Sequence, residues 1–535
     1  MKITKLFLFA LITICYFTPV SAQKRIQSDI YRRNSLCTYF ISDINLLVSE
    51  EGVDKEIKKF LDNYVISDKY DDHTIGSRYV SVNNISFTDE DRCKVDPEFA
   101  KNRNKKPSKF EAILQGMAEQ NPDYESMKAQ QDAQWDDMAK RSFASSHPEI
   151  FSASTQEEYE ENTQKTAAKI YSYLSTVKFA NHLIARWFNA KDTKIEGSHY
   201  DLSLIQERGL YNASELDVMR ASETTRKWAI LKDAGMELIP HTFVSFTQFE
   251  IIDGRKYEER QNSSEAGKDA SKMVGKMFGK SEEYMDNLNK DIEAETAGYY
   301  ITSTTYLFQL EWTNETLEKF INEYWDAPLS KLMSSDEFSL KYLGYERNTV
   351  DTTESVMGKG KQRIGNIFKE AVSGALAKTL GGQTDAEINA ATRLQHEATR
   401  KVMTLKMTEQ SLMRSIDATY LALQKAHEEF KVKAPLIDVE KDNITAFIGL
   451  KEGVTSKTEF EVLERTYNKK KEIYDYKKVT KLKVDKKRIW DNRYTLIDEG
   501  SNVVGKGKNT TTIDRTYLIG SANKIAPGML LRQVK

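Results

Sequence analysis

The sequence YITSTTYLFQLEW, residues 300–312, shows the most regular alternation in the chain. Every second residue from Thr302 to Trp312 falls on one face of an extended strand, because strand side chains alternate with a period of two. β-branched and aromatic residues make up most of the run, as is typical of strands. We therefore predict a strand here and arrange the neighbouring elements around it.

The segments on either side predict a mixture of helices and strands. Residues 243–249, FVSFTQF, predict a second strand, and residues 202–205 predict a shorter one. Apolar residues recur every three or four positions from residue 170 to 187, which indicates one long core-facing helix. A similar pattern predicts a helix over about residues 403–430. This order of elements favours an α+β or α/β core.

After Pro435 the pattern changes to short, closely spaced strands. We predict them at residues 444–450, 460–463, 476–484, 494–497, 517–519 and 529–534. Strands of this length and spacing are typical of a small barrel or sandwich.

The chain as a whole is predicted to be α+β (or α/β), with long helices, helical excursions and a C-terminal all-β domain. Its predicted regions are 1–22, a signal peptide; 23–98, an N-terminal α+β region; 99–165, a polar region of loosely packed helices or partly disordered chain; 166–350, a central α/β domain with an excursion at 261–296; 351–432, a helical region; and 433–535, the C-terminal β-domain.

The N-terminal residues predict export. Lys2 and Lys5 precede an apolar run over residues 6–17, and small residues follow up to Ala22. The run is shorter than the roughly 20 residues that a membrane span needs. This order predicts a signal peptide that is cleaved between Ala22 and Gln23, the alternative being a buried N-terminal helix. We expect the mature protein in the periplasm, at the outer membrane or at the cell surface.

Composition and motifs argue against several classes of function. The chain has 78 basic and 80 acidic residues, so no overall field attracts nucleic acid. It lacks His-Glu-x-x-His, zinc-like His/Cys spacing and Gly-x-Ser-x-Gly. We therefore expect no catalytic, cofactor-binding or metal-binding residues and no nucleic-acid partner. A hydrolase built on an Asp/Glu pair remains the alternative, because such a pair leaves no local motif.

Two cysteines, Cys37 and Cys93, lie in the predicted mature chain. In an oxidising compartment they could form one disulfide bridge. On the chain-entropy model, closing that loop would stabilise the folded protein by about 4 kcal/mol. The alternative is two separate buried thiols.

An apolar stripe between residues 361 and 380 is the first candidate contact surface. Its members are Ile364, Ile367, Phe368, Val372 and Leu376, with lysines nearby. Such a helix could lie on a membrane surface, pair with a helix of a partner, or pack on its own domain.

A basic run is the second candidate. Residues 469–488 contain ten Lys or Arg and three acids. The candidate patch consists of Lys477, Lys478, Lys481, Lys483, Lys486, Lys487 and Arg488. It could bind lipopolysaccharide phosphates or another acidic partner, or it could be a solvated hairpin.

Several short motifs resemble those of large exported proteins of Bacteroidota to which no activity is assigned. These motifs are IQERGLYNASE at 205–215, AGMELI at 234–239, IGLKEGV at 448–454, WDNR at 490–493 and PGML at 527–530. The strand, Gly-x-x-x-Gly-Val turn and strand at 444–463 are similar to small β-domains of flagellar and curli assembly factors. The segment around Glu207 and Arg208, with the helix and strand after it, is similar in outline to the curli-secretion α/β domain.

The absence of a catalytic motif and the two candidate contact surfaces favour a non-enzymatic envelope protein that acts in assembly, scaffolding or structural interaction with other envelope proteins. The alternatives are the secreted hydrolase and a surface-exposed binding protein.

Overall fold

The computed structural model describes residues 35–63, 75, 78–103, 122–191, 200–212, 235–236, 238–356, 385–427, 433–440, 443–468, 473–492, 503–504 and 511–534. The cleavage site at Ala22 and Gln23 lies outside these residues. So does the predicted interaction helix with Ile364, Ile367, Phe368, Val372 and Leu376.

The described helices are α1 (Val53–Asn63), α2 (Asp89–Val95), α3 (Pro97–Asn102), α4 (Pro122–Ser146), α5 (Gln156–Thr176), α6 (Phe179–Trp187), α7 (Ser203–Asn212), α8 (Gly254–Ser263), α9 (Glu265–Met277), α10 (Glu282–Glu295), α11 (Asn314–Glu323), α12 (Leu329–Ser334) and α13 (Asp385–Ala426). Two 3₁₀ turns occur at Ile239–His241 and Leu450–Glu452.

The described strands are β1 (Ser35–Ile41), β2 (Asn45–Leu47), β3 (Tyr79–Val80), β4 (Thr242–Asp253), β5 (Thr296–Ala297), β6 (Tyr299–Leu310), β7 (Leu340–Asp351), β8 (Glu354–Ser355), β9 (Lys433–Pro435), β10 (Val439–Glu440), β11 (Asn443–Ala446), β12 (Glu459–Asn468), β13 (Ile473–Val484), β14 (Val503–Val504), β15 (Thr511–Thr512), β16 (Thr516–Ile519) and β17 (Leu530–Gln533).

A six-stranded mixed sheet forms the centre of the fold. Its order is β3-β1-β4-β6-β7, and β2 pairs with β4 beyond the end of β1. β1 runs parallel to β3 and β4, whereas β6 is antiparallel to both β4 and β7. The predicted strand at 300–312 is β6, which lies between two long partners. Three strands of the predicted N-terminal region 23–98 join this sheet, so that region shares a core with the residues after 240.

Helices cover both faces of the sheet, and the alternation of β6 decides which side chains meet them. Tyr306, Phe308 and Leu310 belong to the core formed with α5 and α6. Tyr299, Ile301 and Leu307 belong to the opposite core, formed with α1 and α13. With its C-terminal all-β sheet, the protein has the predicted α+β fold.

A row of hydroxyl groups joins α13 to the sheet. The row consists of Thr404, Thr408, Ser411, Ser415 and Thr419, at a spacing of three or four residues, and all five are buried. Their partners include the Gly298 backbone N–H, Tyr299, Thr352 and Ser303. Because each hydroxyl finds a partner, α13 packs on the sheet in one register.

Three of the local predictions are wrong. Residues 202–205 are not a strand but the entry to α7, where Asp201 accepts a hydrogen bond from the Ser203 backbone N–H at 2.9 Å. The helix predicted over 170–187 is two helices, because Lys178 adopts a left-handed conformation with φ 51°. The alternation of residues 85–87 also predicts a strand, but these residues form none.

The excursion predicted at 261–296 is a helical insertion between β4 and β6. It begins at Gly254 and consists of α8, α9 and α10. The paired strands on either side meet at its base, since Asp253 is opposite Tyr299.

The C-terminal segment forms a seven-stranded antiparallel sheet of order β10-β11-β16-β13-β12-β17-β9. It curls into a half-barrel, whereas the sequence predicts a small barrel or sandwich. Its core contains Ile444, Val462, Leu482 and Leu531. The sheet meets α13 where the Gly453 Cα approaches Leu421.

Candidate functional site

The middle of α4 is exposed on every side. We call residues 126–142 the arm, because every side chain in this stretch is exposed. Met127, Trp135 and Met138 are exposed by 69%, 60% and 52%. They fall within about 80° of each other around the helix axis, at ~100° per residue. The arm therefore presents an apolar stripe to solvent.

The base of the arm is anchored. Phe143 is buried with Ile150 and Tyr159 in a small cluster of its own. Arg141 pairs with Asp137 at 2.7 Å and with Glu265 at 2.6 Å, which ties the arm to the start of α9. Exposed ion pairs of this kind contribute little stability, so the arm is held chiefly by its buried base.

α9 carries a second exposed apolar pair. Met273 and Met277 lie one turn apart and are exposed by 65% and 66%. α9 also contacts α4, so the insertion and the arm lie on the same side of the molecule. Together they form the largest group of exposed methionines in the described chain.

The predicted basic patch lies on β13 and the turn after it, beside an acidic strand. In β12, Glu459 pairs with Lys483 at 3.4 Å, and Glu461 pairs with Lys478. Arg532 also pairs with Glu461, at 2.9 Å, and these cations lower the pKa of Glu461 to about 2. Part of the basic charge is therefore neutralised within the sheet.

The rest of the patch consists of one arginine in a local ion pair and four lysines without an ion-pair partner among the described residues. Arg488 pairs with Asp485 at 2.7 Å and lies 4.1 Å over the ring of Tyr517. The exposed members with no ion-pair partner among the described residues are Lys477, Lys481, Lys486 and Lys487. This arrangement favours the solvated hairpin, with four lysines left for an acidic partner.

The two cysteines are free thiols. Cys37 is buried in the central sheet, and Cys93 is partly exposed on α2. The disulfide that the sequence allows is not formed in this structure.

A small polar cavity lies between α5 and the central sheet, with a volume of about 200 Å³. Glu250, 4% exposed, lines it from β4. One carboxylate oxygen accepts hydrogen bonds from the backbone N–H groups of Phe151 and Ser152, at 2.6 and 2.8 Å. The other accepts from the Ser152 hydroxyl at 2.9 Å and from the Tyr159 hydroxyl at 3.4 Å. Glu250 is thus a fixed acceptor that already has its donors.

Arg347 of β7 lies against the same wall. Its guanidinium is 3.9 Å above the ring of Tyr159 and pairs with Glu160 at 3.1 Å. It donates to the hydroxyl of Thr163 at 2.7 Å. Burial and the neighbouring Glu250 carboxylate raise the pKa of Tyr159, so this phenol stays protonated at neutral pH.

The side chains that line the Glu250 cavity are mostly hydrogen-bonding groups. Glu250 is the one carboxylate that lines the cavity, so this site holds no Asp/Glu pair of the hydrolase type. No three His, Cys, Asp or Glu side chains in the described ranges lie together so as to hold a metal ion. None of the helices described is both long and apolar enough to cross a membrane.

Sequence reasoning missed both the arm and the cavity. The arm has a signal in the sequence, since Trp135 and Met138 are large apolar residues within the polar segment 99–165, but their exposure is visible only in the structure. The cavity had none, because its residues come from four separated segments around positions 45, 152–166, 248–250 and 302–304.

No protein-family model matches the chain, and no curated protein matches it.

Proposed function

We propose that this chain is an exported, non-enzymatic protein of the bacterial envelope that acts in assembly, scaffolding or structural interaction. The arm is its contact surface. Its partner is an envelope protein with an apolar groove that accepts a helix.

The observation that carries this proposal is the exposure of the whole arm. A helix that is solvated all round either bridges to another body or depends on many i,i+4 ion pairs. Among the described residues, the arm has two such pairs, Asp136 with Lys140 and Asp137 with Arg141. Both lie near its base, so bridging is the explanation we favour for the rest of its length. Its stripe contains a tryptophan and two methionines. Tryptophan is enriched at binding hot spots, and methionine adapts to varied apolar surfaces.

Two further observations support the proposal. The N-terminal sequence predicts export to a compartment with envelope partners. The cavity at Glu250 offers one carboxylate with both oxygens engaged, so this cavity contains no carboxylate pair of the hydrolase type among its described residues.

The test is a cross-linking experiment with a photo-reactive amino acid at position 135. The protein is expressed with its signal peptide in a bacterium of the Bacteroidota, the group whose exported proteins it resembles. The cells are then irradiated with the envelope intact. We expect one dominant adduct with an envelope protein, and we expect its yield to fall at least tenfold in the variant Met127→Lys/Met138→Lys.

The matched control carries the photo-reactive residue at Ile519, which is 57% exposed on the C-terminal sheet. Because Met127 and Met138 are exposed, the double variant should keep the melting temperature of the parent protein. An adduct of equal yield from position 519, or one that survives the double substitution, would refute the arm as the contact surface. The absence of any envelope adduct would refute the proposed function.

A further inference from the structure

Among the described residues that line the cavity, Glu250 is the one charged side chain, and its carboxylate oxygens already have hydrogen-bond donors. Glu250 accepts hydrogen bonds from two backbone N–H groups and two hydroxyls, and Arg347 pairs with Glu160. An anionic ligand would find no unpaired cation among these residues and would be repelled by the Glu250 carboxylate. A cationic group would find the oxygens of that carboxylate already occupied by four donors. The site is therefore suited to a neutral molecule.

Three carboxamide side chains line this cavity, and their side-chain atoms make no hydrogen bond within the described part of the chain. They are Asn45 of β2, Asn162 of α5 and Gln248 of β4. Each carboxamide offers two donors and one acceptor. Three such groups from three different elements, converging on one space, point to a ligand that needs both donors and acceptors.

The remaining lining is rich in hydroxyl groups. Thr163 and Thr166 contribute from α5, and Thr302 and Thr304 contribute from β6. Several of them already donate or accept within the wall: Thr302 bonds to Thr349 at 2.8 Å, and Thr163 donates to the Tyr159 carbonyl at 2.8 Å. A hydroxyl oxygen that donates in this way still has a lone pair to accept a bond from a ligand.

The size of the cavity limits the ligand. About 200 Å³ exceeds the ~30 Å³ of a water molecule but is smaller than the roughly 300–1,000 Å³ of sites for drug-sized molecules. A compact polyol fits this range, because every one of its hydroxyls is donor and acceptor at once.

We propose that this cavity binds a small neutral polyhydroxylated molecule, a monosaccharide or sugar alcohol. The Asn45, Asn162 and Gln248 carboxamides hold its hydroxyls, and the wall built on Glu250 and Tyr159 keeps the cavity open. The inference stands apart from the proposed function, since it involves neither the arm nor a partner protein.

Titration calorimetry and saturation-transfer NMR on the mature chain test it. The probes are glucose, galactose, mannose, ribose and sorbitol, with glucuronate and glucose 6-phosphate as charged counterparts. We expect at least one neutral probe to bind in the millimolar range or tighter, and the charged counterparts to bind at least tenfold more weakly.

The variants Gln248→Leu and Asn162→Leu should each weaken that binding by a factor of ten or more. Gln395→Leu is the matched control, because Gln395 is exposed on α13, away from the cavity. Asn162 is exposed on a helix, so its variant folds even where Gln248→Leu does not. The proposal is overturned by a panel in which no neutral probe binds, by tighter binding of a charged probe, or by binding that the Asn162 variant leaves unchanged.

Discussion

Glu452 is a buried carboxyl group in the turn between β11 and β12. Its Oε2 accepts hydrogen bonds from the Gly449 backbone N–H at 2.6 Å and from Asn492 Nδ2 at 2.7 Å. Burial nevertheless raises the pKa of Glu452 from 4.5 to about 7, since removal from water disfavours the charged form more than these two bonds favour it. This one side chain therefore makes the stability of the C-terminal sheet depend on pH.

We expect the free energy of unfolding to fall as the pH rises from 4.5 to about 7. Within that window the folded state keeps a proton that the unfolded state has lost, so folding is favoured at the acidic end. Glu452→Gln keeps the acceptor and removes the titration. The variant should lack this component, which amounts to at most about 3 kcal/mol for such a shift.

Urea unfolding of both proteins at about pH 5 and about pH 8 measures this difference. Two pH profiles that run parallel would contradict the assignment to Glu452.

The row of hydroxyls on α13 determines how that helix meets the sheet. The Tyr299 hydroxyl is 2.7 Å from Thr408 Oγ1, and both groups are buried. A buried hydroxyl that loses its hydrogen-bond partner still carries the cost of its removal from water. If both hydroxyls are removed together, no unpaired group is left to carry that cost. The pairs therefore disfavour any shift of α13 along the sheet.

We predict that Thr408→Val and Tyr299→Phe each lower the free energy of unfolding by about 1–3 kcal/mol. The double variant should lose less than the sum of the two, with a coupling of about 0.5–3 kcal/mol. A double-mutant cycle by chemical unfolding measures this coupling. Strict additivity would mean that the two hydroxyls do not interact.

The arm differs from α13, because its side chains are exposed rather than packed on the sheet. Its residues 126–142 are exposed and lack tertiary contacts over most of their length, and isolated helices of this length are marginal in water. We predict that its backbone amides exchange with deuterium much faster than those of α13 at residues 404–420. Hydrogen exchange with mass spectrometry measures both in one experiment. Protection of the arm equal to that of α13 in the isolated protein would show that another surface already covers it.

The elements differ in how far sequence could predict them. The strand at 300–312 was predictable because β-branched and aromatic residues make up most of β6. Residues 202–205 were not, because a short apolar run fits a strand and a helix start equally well, and the hydrogen bond from Ser203 to Asp201 decides between them. The row at Thr404, Thr408 and Ser411 had a helical spacing that could have been read. Its members are polar, so the apolar periodicity of α13 does not reveal the row.

At the scale of the molecule, prediction failed where distant segments meet. The order β3-β1-β4-β6-β7 depends on pairing across long separations that local patterns do not encode. The cavity at Glu250 exists only once β2, β4, β6 and α5 come together. The predicted C-terminal strands were largely found, because antiparallel neighbours with short turns carry local signals.

The contact between the C-terminal sheet and α13 rests on Gly453. Its φ is +71°, and an added Cβ would lie 2.6 Å from Leu421. We predict that Gly453→Ala lowers the free energy of unfolding by more than the roughly 1–2 kcal/mol of left-handed strain alone. Gly52→Ala is the control, since Gly52 has φ +93° and nothing within 4 Å of an added Cβ. Thermal unfolding of both variants separates the steric collision with Leu421 from backbone strain. If both variants lose the same free energy of unfolding, the collision with Leu421 contributes nothing.

The order of strands in the central sheet also determines when β1 can pair during synthesis. β1 ends at Ile41 and its partner β4 begins at Thr242, so about 200 residues of chain separate them. At ~5–20 residues per second, β1 waits about 10 seconds or longer for its partner to leave the ribosome. During that interval one edge of β1 is unpaired, and non-local pairing of this kind is slow to form and open to aggregation. Nascent chains that stop before β4 should therefore depend on chaperones that hold extended segments, and chains that extend past β6 should not.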